Sequence, residues 1–209
     1  WNIAKASLTI TASAQSVVYG TSIATGVSQV TVTGLVNSQK LTNITLKAST
    51  TDVTTTGTIT PSGAVIKTSD GATTTTDNYS ISYVAGKLTI TKLSVAKPTA
   101  KTGLTYNGNT QTGVTFENNK GYSLKSGAVS MINAGNFSAI FTLDGNHIWS
   151  DNSTADVTVN WSIAKKSVAV SWGTTTSWTY DATSHVPTAS ATGVTNSSNV
   201  TEKLNIVVS

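Results

Sequence analysis

The chain is predicted to be all-β, a tandem array of small antiparallel β-sandwich modules joined end to end. Three observations predict it. A short phrase recurs as Trp1-Asn2-Ile3-Ala4-Lys5, Leu88-Thr89-Ile90-Thr91-Lys92 and Trp161-Ser162-Ile163-Ala164-Lys165, each time running at once into another alternating strand. Its lysines lie 87 and 73 residues apart, and self-similarity at such spacing is the mark of modular arrays. Apolar and polar residues alternate with period two wherever the chain is apolar, and helix signals are nearly absent. Turn pairs such as Asp70-Gly71, Asn107-Gly108 and Asp144-Gly145 punctuate the strands, and each supplies the positive φ of a tight hairpin.

The elements follow in order. Residues 1–5 read as the closing strand of a preceding module. The first module spans 6–92. It opens with Leu8, Ile10 and Ala12 alternating with Thr9 and Thr11, turns at Tyr19-Gly20-Thr21, and ends with Tyr79, Ile81 and Tyr83 before the closing phrase. Only Asn37 to Leu46 has a helical alternative, and Thr and Asn weaken it. The second module spans 93–165, with its own turn at Tyr106-Asn107-Gly108 and an added polar hairpin from Asp144 to Asp156. Its last strand carries Val157, Val159, Trp161 and Ile163 on one face. Residues 166–209 repeat only the front half of a module, with the turn at Tyr180-Asp181-Ala182; they are expected to pack on a neighbouring module or chain, or to be less ordered. Trp161 and Trp172 are expected in cores.

Composition narrows the function. The 209 residues carry 13 Lys, no Arg and a net charge of +4, and charged residues make up 11%. Nucleic-acid readers lean on Arg forks and clustered charge, whereas these lysines are scattered, so nucleic acid is not an expected partner. Edge lysines serve instead to discourage strand aggregation. The absence of Cys excludes a disulfide framework and thiolate metal sites. Together with an extracellular-looking composition it suggests a secreted bacterial surface protein. No stretch of about 18 apolar residues occurs, so no membrane insertion is expected within this segment.

The ordered phrases carry a family resemblance. Leu8-Thr9-Ile10-Thr11-Ala12, Val18-Tyr19-Gly20, Gly34-Leu35-Val36-Asn37, Asn78-Tyr79-Ser80-Ile81 and Gly86-Lys87-Leu88-Thr89-Ile90-Thr91 resemble the MBG "YGX-type" repeat of bacterial surface adhesins. Leu104-Thr105-Tyr106-Asn107-Gly108 and Asn133-Ala134-Gly135-Asn136-Phe137 are similar to a companion repeat, and Trp178-Thr179-Tyr180-Asp181-Ala182 to a YDG/YDA repeat. The resemblance implies large surface proteins with many modules serving mostly as stalk, and no shared catalytic set. Asn133 to Phe137 sits where an immunoglobulin-like (Ig-like) sandwich places its late-strand corner. The competing architecture is a β-grasp-like module that uses Asn37–Leu46 as a short helix.

Candidate chemistry is sparse. His147 and His185 fall in different modules, and the acids sit in turn-like stretches, so no catalytic residue is expected and the chain is not expected to be an enzyme. The stretch from Asp144 to Asn152 is rich in oxygen ligands but lacks the spacing of an EF-hand, so no metal and no cofactor are expected. Asn118, Asn136, Gln29 and Gln111 are candidates for an isopeptide or ester cross-link, with no clear triplet. Trp149 and Trp178 lie near turns, where an exposed ring stacks on a sugar face or anchors an interface; packing as a lid over the module end is the alternative for Trp149. The expected function is therefore a stalk or spacer of an adhesin, partnered by neighbouring modules of the same chain. The alternative is a carbohydrate- or host-protein-binding module using Trp149 and Trp178.

Overall fold

The computed structural model describes residues 1–175 and 177–208. The fold is all-β and divides into two compact units, Trp1–Val95 with Leu143–Thr154, and Ala96–Thr142 with the chain from Ala155 onward. Division by packing thus differs from division by repeat phrase. The phrases mark Lys92 and Lys165, but the polar hairpin of the second repeat belongs to the first compact unit.

The first unit contains β1 (Ala6–Ala12), β2 (Gln15–Val18), β3 (Val30–Thr33), β4 (Lys40–Ala48), β5 (Thr54–Lys67), β6 (Tyr79–Val84), β7 (Gly86–Thr91) and β8 (Leu93–Val95). The first seven form one sheet in the order β3-β1-β6 and a second in the order β2-β7-β5-β4, while β8 pairs with a later strand. Alternation sends Leu8, Ile10 and Ala12 of β1 into one core with Ile44 and Leu46 of β4, Ile59 and Ile66 of β5, Tyr79 of β6, and Leu88 and Ile90 of β7. In β5 the inward parity changes between Pro61 and Ala64, at Gly63, whose φ of 60° lets the strand absorb one extra residue.

Two expectations for this unit are corrected. Asn37 and Ser38 form a turn at positive φ, and Lys40 onward is strand, so the stretch that could have held the helix of a β-grasp module is β4. Alternation of Ile44 and Leu46 toward the core decides it, because burial of that face outweighs local propensity. The only helical elements among the described residues are 3-10 turns at Val27–Gln29 and Thr76–Asn78. The sheets are also not purely antiparallel: β1 runs parallel to β6, and β2 runs parallel to β7.

Beyond Val95 come β9 (Thr99–Ala100), β10 (Gln111–Thr112), β11 (Val114–Thr115), β12 (Tyr122–Gly127), β13 (Ser130–Met131), β14 (Gly135–Leu143), β15 (His147–Trp149), β16 (Val157–Ile163), β17 (Val170–Trp172), β18 (Ala189–Thr195) and β19 (Thr201–Lys203). All but β15 build the second unit. Its main sheet has the order β12-β14-β16, and β14 pairs antiparallel with β16 from Gly135↔Ile163 to Phe141↔Val157. Val114, Ala139, Phe141, Val159, Trp161 and Ile163 are buried. The rings of Phe116 and Tyr122 lie 5.2 and 6.0 Å from that of Phe141.

The sheet β17-β18-β19 differs in kind. No described residue after Ile163 is buried. Trp172, expected in a core, is exposed, together with Val168 and Val170 of the same face. Alternation predicts the strand, but the described residues leave Val168, Val170 and Trp172 uncovered, while Ala189, Ala191 and Val194 of β18 are half-buried. The segment meets the rest of its unit at the Tyr106-Asn107-Gly108 turn: the Tyr106 hydroxyl bonds the Glu202 carboxylate, the Ser197 N–H donates to Asn109 Oδ1 at 2.8 Å, and Val194 and Asn196 lie against Gly108. Glu202 pushes the Tyr106 phenol above its ordinary range, first through that hydrogen bond, with burial and like-sign charge adding.

Candidate functional site

The hairpin that carries β15 gathers a cluster of bonded polar side chains, Asp144, Asn146, His147 and Asp151. Its strand pairs parallel with β8, His147 opposite Leu93 and Trp149 opposite Val95. The Leu93 N–H donates to the Asn146 carbonyl at 3.0 Å, and the Ser150 N–H to that of Val95 at 2.8 Å. Asn146 reaches the loop before β5 with its amide: Oδ1 accepts the Val53 N–H, and Nδ2 donates to Asp52 Oδ1, both at 2.9 Å. One side chain thus satisfies a backbone donor and a carboxylate from a loop some ninety positions earlier.

Beside it, buried His147 sets its ring edge-on to Tyr19, centroids 5.2 Å apart, and holds Nδ1 2.6 Å from Asp144 Oδ1. Partial burial works against ionisation of Asp144. The hydrogen bonds from the His147 ring and the Asn146 N–H, with the His147 charge, outweigh it and hold the carboxyl below its ordinary value. Asp151, the other acid of the hairpin, accepts from the Ser153 N–H at 3.1 Å and its hydroxyl at 2.7 Å. These carboxylates shape turns. Among the described residues no group of three His, Cys, Asp or Glu could hold a metal ion.

The two tryptophans singled out from sequence fall in different units. Trp149 is fully buried, and a ring with no exposed face cannot stack on a sugar. Trp178 is exposed and stacks on His185, centroids 5.5 Å apart and planes 12° from parallel. His185 Nε2 lies 2.9 Å from Asp181 Oδ1, which also accepts the Thr183 hydroxyl at 2.6 Å. The Thr183 bonds, side chain first and then backbone, with a smaller part from His185, hold Asp181 below the usual carboxylate range against a small effect of burial. The arrangement supplies a base and an acid. The nearby hydroxyl is bonded to the acid, where it cannot serve as a nucleophile activated by the histidine.

The cross-link candidates are engaged otherwise or exposed. Gln111 Nε2 donates to the Thr105 carbonyl at 3.1 Å, Gln29 Nε2 lies 3.5 Å from the Ser28 hydroxyl, and Asn118 and Asn136 are exposed. No carboxylate among the described residues is buried, as promotion of such a bond requires.

A recurring backbone site was not foreseen. In the first unit β2 lies parallel to β7, and the Tyr19 N–H donates to the Thr91 carbonyl at 2.8 Å. In the second unit Thr105 bridges Ala164 in parallel, and the Tyr106 N–H donates to the Ala164 carbonyl at 2.9 Å. Both bonds join the tyrosine of the front turn to the residue just before the lysine of the closing phrase. The signal was present, since both the Tyr turns and the phrases repeat; their partnership is long-range and invisible to period-two patterns.

Against known proteins, residues 8–89 match the family model of the MBG domain (YGX type). No curated protein matches the chain, and no solved structure does. No helix among the described residues is long and apolar enough to cross a membrane, which says nothing of strands.

Proposed function

Residues 8–89 being an MBG domain of the YGX type, we propose that the chain is a non-catalytic spacer segment of a secreted bacterial surface protein, holding an adhesive region away from the cell. The observation that carries this reading is the junction at Lys92. Strand β7 ends at Thr91 and β8 begins at Leu93, so a single residue separates the closing strand of one repeat from the opening strand of the next. A one-residue joint cannot behave as a flexible coil, and a spacer needs resistance to bending. The charged side chains support the same reading, because Asp144, Asp151 and Asp181 are all engaged in turn-making bonds.

Exposed Trp178 and Tyr180 favour one alternative, a sugar- or protein-binding face on the last segment. A glycan array and a panel of host matrix proteins, probed with the 209-residue chain and with Trp178→Ala, separate the two. The spacer reading expects no retained ligand from either protein. A ligand held by the native chain and lost with Trp178→Ala overturns it.

A further inference from the structure

The lysines of the first unit are sorted between its two sheets. Those on its strands all lie in the four-stranded sheet, and all fall at outward positions: Lys40 and Lys47 on β4, Lys67 on β5 and Lys87 on β7. Register gathers them. Lys40 stands directly opposite Lys67, Lys47 opposite Thr60 and Lys87 opposite Thr58. Lys47 and Lys87 thus flank the same stretch of β5, about 12 Å apart by the spacing of strands and residues. The carboxylates of the unit, Asp52, Asp70, Asp77, Asp144 and Asp151, all lie in turns and loops. Asp70, three residues past Lys67, accepts the Thr68 hydroxyl and the Ala72 N–H within its own turn. Among the described residues none of the four lysines is ion-paired. The other sheet is built alike and is uncharged: its outer face carries Ser7, Thr9, Thr11, Thr33 and Ser82.

Protection of sheet edges does not account for this sorting. β5 and β7 are interior strands and hold two of the lysines, whereas β3 and β6 are edges and hold none. Stability does not account for it either, because like charges directly opposite one another repel, and no carboxylate relieves the Lys40↔Lys67 pair. We propose that the outer face of the β2-β7-β5-β4 sheet is a docking surface for a flexible polyol-phosphate polymer, in which phosphodiesters alternate with hydroxyl-bearing carbons. Charge complementarity carries the assignment: four ammonium groups share one face with no carboxylate. The hydroxyls of Thr45, Thr58, Thr60 and Thr89 stand among them and offer hydrogen bonds to the polyol between phosphates. Lysine suits such a partner, since a point charge on a long stem follows a mobile phosphate without fixed geometry. The chain has no Arg to supply a bidentate fork, and a flat sheet face presents no helix or ribbon to a DNA groove. Val18 is the exposed large apolar residue of this face, too little to seat it in a membrane. The contact goes beyond the spacer reading, which needs only a stiff joint, and it stands if that reading falls.

The test is titration of the 209-residue chain with poly(glycerol phosphate) at about 50 and about 150 mM salt, with amide NMR to locate the contact. Phosphatidylglycerol vesicles and neutral dextran are run alongside. Each neutralised phosphate on a flexible strand contributes about −0.7 to the log–log salt slope, so four lysines give about −3 and a roughly 20-fold loss over that range. Amide shifts should move at Lys47, Thr60 and Lys87, and dextran should not bind. Lys40→Gln, Lys47→Gln, Lys67→Gln and Lys87→Gln together take the net charge from +4 to zero and should weaken binding at least about tenfold. Lys101→Gln, Lys165→Gln, Lys166→Gln and Lys203→Gln remove the same charge elsewhere and should leave affinity within about threefold. Equal losses from the two sets make net charge the cause and overturn the proposal. Absence of polymer binding at the lower salt overturns it, as does binding to the vesicles without binding to the polymer. Shifts in the native chain confined to the second unit overturn it too, however tight the binding.

Discussion

Adding a single methyl group at Gly113 tests the account of how the second repeat is closed. Gly113 is buried and its φ lies outside the left-handed range, so the penalty an alanine meets there is steric rather than one of positive φ. Its Cβ would stand 1.8, 2.1 and 2.4 Å from three carbon atoms of the Trp161 indole. Carbon atoms rest about 3.5–4.0 Å apart, so the ring must retreat by roughly 1.5–2 Å. It has nowhere to go. The indole Nε1 donates to the Ala128 carbonyl at 2.8 Å, Phe137 packs 4.7 Å away, and the backbone is fixed in the β14–β16 ladder. Overpacking of a tight core costs about 3 kcal/mol, and loss of the indole hydrogen bond adds about 1. Gly113→Ala should therefore destabilise the second unit by about 4 kcal/mol, a large share of what a small domain has. Gly145→Ala, whose Cβ would meet nothing within 4 Å, is the control. Urea unfolding with hydrogen exchange resolved by segment is the assay. Protection should fall across β14 and β16 and persist across β1 and β5. If Gly113→Ala unfolds within about 1 kcal/mol of the native chain, the indole is not clamped and the reasoning fails.

Other expectations concern the first unit. Asn146→Ala removes the acceptor of the Val53 N–H and the donor to Asp52, and should cost about 1–2 kcal/mol, read as earlier urea unfolding of β5 and faster exchange at Val53. Tyr79→Phe deletes a hydroxyl that donates to Gln39 Oε1 at 2.8 Å and accepts the Val36 N–H at 3.1 Å; a loss of about 1–2 kcal/mol is expected with β6 still formed, measured by thermal unfolding. Asp144 is held below its ordinary carboxyl value, so its stabilising contribution is complete above the unfolded pKa of about 3.9 and is lost as pH falls through the lower folded value. Carbon-detected NMR should place its titration below that of free aspartate, and Asp144→Asn should flatten the acid limb of the stability curve. A midpoint at or above about 3.9 refutes the assignment of the His147 and Asn146 bonds.

Much of this was legible in the chain, and the limit is instructive. Period-two alternation located β1, β6, β7 and β16 and chose their inward residues, Leu8, Ile10, Leu88, Val159, Trp161 and Ile163. It works because alternation reports which face is buried, a local property. It is silent on which strand lies alongside. The parallel pairs β1/β6 and β2/β7 are therefore absent from any pattern, as is the pairing of β15 with β8. The same silence misplaced Trp172, where alternation persists but the covering layer does not. It also explains Trp149, a turn-adjacent ring that sequence leaves partly exposed and that the fold buries completely. Asp52 and Asn146 bond across a separation no local signal spans.

The two closed repeats show what the phrase must satisfy. Each needs a backbone carbonyl for the Tyr N–H, two inward residues at alternate positions, and a glycine facing the first of them. Gly57 lies opposite Leu88, where a Cβ would stand 3.3 Å from the leucine Cβ and 2.8 Å from the Thr54 methyl. Gly113 lies under Trp161, where the whole indole occupies the space a side chain would take. Two glycines thus set two different depths, one admitting a branched aliphatic and the other an indole. The phrases should not be interchangeable despite their shared pattern. Leu88→Trp forces the larger indole against Gly57 and Thr54, in a core where overpacking costs about 1–3 kcal/mol. Trp161→Leu leaves a void over Gly113 and strands the Ala128 carbonyl, for a loss of about 3 kcal/mol. Thermal unfolding of both variants is the measurement. If either phrase accepts the other's residue within about 1 kcal/mol, the glycines do not set the fit, and the lysine-terminated phrase is a generic strand with no seat of its own.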